Sequence, residues 1–512
     1  MPGTRRTLRA ALLLAATAAT ATATAIALPV PVAASQPASL DEFYEQRPAW
    51  GPCDFDAEVQ CATIEVPLDY GDPAGKRISV AISRQAATEP AERRGVLLAN
   101  PGGPGGSGLI TTDSSGETVS WPKERFAATP LSRHYDLIGF DPRGVGRSTR
   151  LSCAAPEAEG PLTSRPTGAD FAAAVEWAKQ SAAGCEEAGG DLLRHVNTRD
   201  TARDMDVLRG VLGEQKINYV GYSYGTYLGA VYGTLFPEHL DRSVLDSAVP
   251  GDMDWRRTQM SGAVAAMRNV EQWAEWTAAR DGRYSLGASQ AEVLATVAAV
   301  SAELPETAGR FGSERTRFDK EVGYAATQRP EWDRLAELVR ETAATGTFPA
   351  PTPPDDASGT ALLTGYVPVN QMVHCETEWP ADLDTYRRDT VRFIEKYPYG
   401  PGAATALPDP CTFRTDPPEE KATALTRSGY PAGIVVQAEG DVHTEYSGGV
   451  EMARRLDHRL ITVADGGAHG QYARRGNTCV DEAVTGYLLD GTLPTADLTC
   501  PGRPRPAVPA TR

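Results

Sequence analysis

Five residues, Gly221-Tyr222-Ser223-Tyr224-Gly225, constrain this chain more than any other stretch. An apolar run, Ile217-Asn218-Tyr219-Val220, precedes them, and a small-residue and aromatic segment, residues 226–236, follows and reads as a helix. Strand, sharp turn and helix around G-x-S-x-G make a nucleophile elbow: the glycines leave room for a strained turn that lifts the serine hydroxyl above a sheet. The helix N-terminus behind it favours developing negative charge. A bare G-x-S-x-G arises often by chance, and the alternative is a serine in an ordinary turn.

The rest of the chain supplies a sheet for that elbow. Thr63-Ile64-Glu65-Val66-Pro67-Leu68 and Ile78-Ser79-Val80-Ala81-Ile82 alternate as strands do, with a turn at Asp72-Pro73-Ala74-Gly75 between them. Gly95-Val96-Leu97-Leu98-Ala99 and Tyr135-Asp136-Leu137-Ile138-Gly139-Phe140 are short, nearly continuous apolar runs of the kind that buried central strands need. Residues 201–212 carry Met205, Leu208 and Leu212 at helical spacing. Strands alternating with helices predict an α/β fold with a mostly parallel central sheet. After Arg242-Ser243-Val244-Leu245-Asp246 the strand signals stop, and they resume at Gly433-Ile434-Val435-Val436-Gln437 and Leu460-Ile461-Thr462-Val463. Residues 251–427, with helical patterns at 262–280 and 291–304 and a Pro/Thr/Asp-rich loop at 349–358, therefore read as a mainly helical cap. It is spliced between a first core segment, 35–250, and a second, 428–505. Residues 35–52 read as a mobile leader.

Residues 1–34 are expected to be a cleaved signal peptide outside the fold. Arg5, Arg6 and Arg9 precede an Ala/Leu/Thr-rich segment, and Val32-Ala33-Ala34 offers the small residues that a signal peptidase needs. Thr4-Arg5-Arg6-Thr7-Leu8 also resembles a twin-arginine signal. The expected location is extracellular, without stable membrane association. A net charge of −17 is a poor footprint for nucleic acid or an anionic membrane. Eight cysteines behind an export signal are expected as disulfides. Sequence proximity favours Cys53 with Cys61, Cys153 with Cys185, Cys375 with Cys411, and Cys479 with Cys500, although about a hundred pairings are formally possible. No C-x-x-C or Cys/His cluster speaks for a metal, and no cofactor is expected.

A serine nucleophile needs a base, a group to orient that base, and donors for the oxyanion. Of the histidines after the elbow, His239 lies too far along to return, His374 falls in the cap, and His458 reads as a surface residue before a strand. His469, in the flexible loop Asp465-Gly466-Gly467-Ala468-His469-Gly470 after a strand, is the expected base. Asp441, after the turn Glu439-Gly440, is the expected acid, with Glu439 and then Glu445 as competitors; His443 is expected to line the site. Asn100-Pro101-Gly102-Gly103-Pro104-Gly105-Gly106-Ser107-Gly108 follows a buried strand and can bring a backbone N–H to a substrate carbonyl. It matches neither phosphate-binding glycine pattern, so a nucleotide is not expected.

These segments, together with Phe140-Asp141-Pro142-Arg143-Gly144-Val145-Gly146-Arg147-Ser148 and the C-terminal Cys479, Tyr487-Leu488 and Cys500, resemble the prolyl-aminopeptidase group of α/β-hydrolases. The resemblance is strongest to secreted actinomycete tripeptidyl aminopeptidases. It implies an α/β-hydrolase fold with a Ser223, Asp441, His469 triad, and an oxyanion hole made by the N–H groups of Gly103 and Tyr224. Arg143 is expected to structure its loop. The chain departs from the family's D-P-x-T-P pattern: Asp441-Val442-His443-Thr444-Glu445 keeps the Asp and Thr without the prolines. That leaves the triad in place and puts substrate preference in question. The expected activity is removal of short peptides, tripeptides, from free N-termini. An esterase or lactone hydrolase with the same triad is the alternative, and a non-enzymatic binding protein on a hydrolase scaffold a third. Glu376 and Glu378, beside Trp379, are the best local candidates for a clamp on the substrate's α-amino group, the alternative being a solvated acidic loop beside a structural disulfide at Cys375. Oligomeric state is left open.

Overall fold

Strands whose every residue is apolar belong where both faces of a sheet are covered. The computed structural model describes residues 40–510 except 114, 157–159, 161, 308–311 and 350–365, so residues 1–34, expected as an export signal, and most of the 349–358 loop lie outside the described residues. In chain order the strands are β1 (Gly51–Pro52), β2 (Gln60–Pro67), β3 (Arg77–Gln85), β4 (Val96–Asn100), β5 (Ile110–Thr112), β6 (Thr118–Ser120), β7 (Asp136–Phe140), β8 (Ile217–Tyr222), β9 (Leu240–Asp246), β10 (Ile434–Ala438), β11 (Arg459–Ala464) and β12 (Leu498–Pro501). Ten of them form one sheet in the order β1-β2-β3-β7-β4-β8-β9-β10-β11-β12, and β5 and β6 make a separate hairpin. From β7 to β12 every neighbouring pair is parallel, and β1, β2 and β3 join antiparallel at one edge. The apolar runs fill the middle: β4, β7, β8 and β10 are buried at every residue.

Residues 40–52, the described part of the expected leader, do not behave as a mobile segment. Asp41–Tyr44 is a short helix, Phe43 is fully buried in the main core, and Gln46 exchanges hydrogen bonds with both backbone groups of Glu65. One buried phenylalanine is worth about 1.5–3 kcal/mol, enough to hold a segment that composition alone marks as loose.

Between β9 and β10 the described residues form helices and loops only. Trp255–Ala278, Gln290–Glu303, Glu314–Ala325 and Trp332–Thr345 pack around their own apolar cluster, with Trp273, Val297, Phe318 and Trp332 at its centre. The helix Tyr366–His374 instead joins the main core through Val369, Met372 and Val373. All eight cysteines are paired, as Cys53–Cys61, Cys153–Cys185, Cys375–Cys411 and Cys479–Cys500.

Arg143 ties the first half of the sheet to the helix Thr198–Val211. It is fully buried. Its Nε and Nη2 donate to Asp204 at 2.7 and 2.6 Å, and its remaining donors reach the carbonyls of Leu68, His195 and Pro67. Removing one member of a buried pair strands the other charge, at about 3–5 kcal/mol. Arg143→Ala is therefore expected to lower unfolding stability by about that much in urea melts, and a loss below about 1 kcal/mol would contradict the buried-anchor account.

Candidate active site

The apolar strand β8 carries Ser223 to the upper edge of the sheet, where the chain must turn at once into the helix Tyr224–Leu235. Ser223 takes φ 57° and ψ −128°, a backbone conformation that costs a non-glycine residue about 1–3 kcal/mol. Its neighbours explain why only glycine fits beside it. A Cβ on Gly221 would lie 2.3 Å from the Gly225 carbonyl oxygen, and one on Gly225 would lie 2.8 Å from the Asn100 carbonyl oxygen. The turn is pinned by the Ser223 N–H donating to the Asp246 carbonyl at 3.0 Å.

The glycine loop after β4 folds directly over this turn. Gly102 and Gly103 have φ of 92° and 117°. A Cβ on Gly102 would sit 2.3 Å from the Tyr222 carbonyl oxygen and 3.1 Å from the Tyr224 nitrogen. Asn100 Oδ1 accepts from Gly102 N–H at 2.9 Å, and Ser107 Oγ donates to buried Asp141 at 2.5 Å, so both ends of the loop are fixed. The Tyr224 N–H is at the first position of its helix and has no intrahelical acceptor. Gly103 N–H donates to nothing among the described residues. Both residues line a cleft of about 480 Å³ that also holds Ser223 and His469.

Asp441 is fully buried and saturated. It accepts from His469 Nδ1 at 2.8 Å, from Thr444 Oγ1 at 2.9 Å, and from the N–H groups of His443 and Thr444 at 2.9 and 3.2 Å. Burial opposes its ionisation, but His469 and these donors outweigh it and bring its pKa down to about 2. Both competing acids are occupied elsewhere. Glu439 accepts from the Asp465 N–H, and Glu445 pairs with Arg268 while capping the helix Tyr446–Leu456. His443 lines the cleft, its ring 4.9 Å from that of His469 and stacked on Tyr324. Burial, and then His469 beside it, hold it below the ordinary histidine pKa.

Sequence reasoning missed the anchor of the histidine loop. Asp246, at the end of β9, accepts from the N–H groups of Gln471 at 3.0 Å and Tyr472 at 2.6 Å, and its neighbour Ser247 accepts from Gly470 N–H at 2.8 Å. Burial pushes its pKa up to about 6 against those donors. An acid ending the strand beside the elbow strand was the available signal. His458 is a second correction: it is buried, not on the surface. Its Nδ1 accepts from Gly433 N–H, and burial takes its pKa down to about 4.

Neither Glu376 nor Glu378 is among the residues lining the cleft. Glu376 is buried under the start of the helix Thr198–Val211, where Thr198 Oγ1 donates to its oxygens at 2.8 and 2.9 Å. Glu378 is exposed and paired with Lys421, and Trp379 faces a neighbouring groove. The insertion instead gives the cleft Trp255, Thr258, Gln259, Asn370 and His374. The cleft thus brings Ser223, the Asp441-paired His469, Gly103 and Tyr224 together beneath the insertion, the kinds of group that acyl transfer through an oxyanion uses.

Comparison with known proteins agrees with the geometry. Residues 95–342 match the family model described as alpha/beta hydrolase fold, and residues 397–500 the one described as TAP-like protein. Tripeptidyl aminopeptidase of Streptomyces lividans is 36% identical over 467 residues, covering 88% of this chain and 85% of that protein. Carboxylesterase B of Mycobacterium tuberculosis is 32% identical over 88% of this chain and 89% of its own length. Serine protease Hip1 of the same species is 29% identical over 86% and 87%.

The Glu376 carboxyl gives a test by pH. Burial raises its pKa from 4.5 to about 8, against the pull of the Thr198 donors. The unfolded chain then releases this proton at lower pH than the folded one. The contribution is full below about pH 4.5 and is lost as pH rises towards about 8. Thermal unfolding of Glu376→Gln should lack this decline, so the wild type loses several degrees relative to the variant between pH 5 and pH 8.5. Parallel profiles would contradict the assignment.

Proposed function

The chain belongs to the tripeptidyl aminopeptidase-like family of α/β-hydrolases, and from that premise we propose that it is an exported serine exopeptidase releasing tripeptides from free N-termini. Ser223 Oγ attacks the scissile carbonyl while His469 takes its proton. Asp441 holds the imidazole in one tautomer and stabilises the imidazolium. The N–H groups of Gly103 and Tyr224 receive the oxyanion. His469 then protonates the leaving amine, and water resolves the acyl-enzyme by the same path in reverse. The observation that carries this reading is the 2.8 Å contact of His469 Nδ1 with fully buried Asp441, in the cleft that holds the elbow serine.

The helical insertion acts as the roof that limits how much chain fits beyond the acyl group. Gln259 Nε2 lies 3.2 Å from His374 Nδ1, and Asn370 Nδ2 donates to the Pro104 carbonyl at 3.3 Å. Each amide keeps its oxygen for the α-ammonium of the substrate, which needs acceptors in place of water. Residues 1–34 act as the export signal, consistent with four disulfides.

Ester hydrolysis is the second reading, favoured by two observations. A relative named carboxylesterase is 32% identical, and no carboxylate lies among the described residues that line the cleft. A tripeptide anilide tested with free and N-acetylated amine separates them. The peptidase reading expects acetylation to cost at least about 100-fold in kcat/KM, since a site built for a polar group rejects the analogue lacking it. Equal turnover of both forms, with faster turnover of simple esters, would overturn it.

A further inference from the structure

Arg474 is the one permanently charged side chain among the described residues that line the cleft, in a chain whose net charge is −17. No carboxylate pairs with it among the described residues; its guanidinium rests 6.0 Å from the Tyr222 ring centroid. Two more arginines converge on the same loop. Arg125 donates to the Ala473 carbonyl and leaves its Nε without an acceptor, while Arg475 holds the carbonyls of Gly470 and His469. Asp246, which accepts from Gln471 and Tyr472 N–H, also lies in the field of Arg125 and Arg475, and Asp481 accepts from Ala473 N–H. The positive charge the loop presents to the cleft itself is therefore that of Arg474.

Its position decides what the charge meets. A Cβ on Gly470, the residue after His469, would lie 2.8 Å from both Cδ and Nη1 of Arg474, so the side chain folds back beside the base. In an acyl-transfer site the histidine hands its proton to the leaving group, and the leaving portion starts next to it. One or two extended residues past the scissile bond span about 3.5–7 Å, within reach of an arginine at that point.

We propose that Arg474 forms an anion subsite on the leaving side of the cleft, selecting peptides that carry a carboxylate on the first or second residue after the cut. This rests on the peptidase reading of Ser223 and His469. The carboxylate has two sources, the C-terminus of a short peptide or an Asp/Glu side chain. Guanidinium binds either through paired N–H donors.

Four peptides with the same free-amine tripeptide test it, ending in alanine, alaninamide, glutamic acid α-amide or lysinamide. Alanine or the glutamyl amide should exceed alaninamide by about five- to tenfold in kcat/KM at low salt, and about 0.5 M NaCl should erase the gain. A gain for alanine alone assigns the C-terminal carboxylate, and one for the glutamyl amide assigns the side chain. Arg474→Gln should bring the ratios to about one, and Arg474→Glu should favour lysinamide; covalent titration of Ser223 checks that each variant is folded. Ratios near one in the wild type, or ratios unchanged in Arg474→Gln, overturn the proposal. Failure to cleave any of the four overturns the peptidase reading and the subsite with it.

Discussion

A strand cannot pass straight into a helix and raise a hydroxyl above the sheet without putting one residue into a backbone conformation that L residues avoid. Ser223 is that residue, and its strain of about 1–3 kcal/mol must be offset by what surrounds it. Three segments meet there at distances no side chain tolerates. Gly221 and Gly225 keep the turn open, and Gly102 brings the loop after β4 onto it. The same crowding that fixes the serine brings Gly102 against the start of the following helix, so that Gly103 and Tyr224 line one cleft with it.

The placement of His469 depends on a second set of constraints, from both the sheet and the insertion. Asp246 and Ser247 hold the chain after His469 from below. From above, Asn269 donates to the Gly440 carbonyl at 2.9 Å, and Arg329, itself buried, pairs with Asp465 at 3.0 Å. A Cβ on Gly467 would lie 2.3 Å from the Thr327 carbonyl oxygen. The insertion thus clamps the loops bearing the acid and the base as well as roofing the cleft.

What the sequence made legible was local. The elbow, the glycine loop, the buried strands and the split of the core by a helical insertion all follow from short-range patterns. Asp441 and His469 each follow a strand-to-loop transition, the position that marks them as candidates in the sequence. Most of the departures come from burial decided by distant residues. Glu376 has the local signature of a clamp, but the start of the helix at Thr198 covers it, and Glu378 is taken up by Lys421. Phe43 is the fully buried anchor of a segment that Leu40, Tyr44 and Trp50 also pack against the core, and His458 fills a gap under Gly433. Asp246 acts through contacts made across the fold, which no periodicity reports.

The central claim is that Ser223, strained at the elbow, is activated by His469 held by Asp441. Reaction with a fluorophosphonate, followed by peptide mass mapping, tests it most directly. The account predicts one adduct, on the peptide containing Ser223, with labelling slowed by several orders of magnitude in His469→Ala. An adduct on another serine, or undiminished labelling without His469, would contradict it.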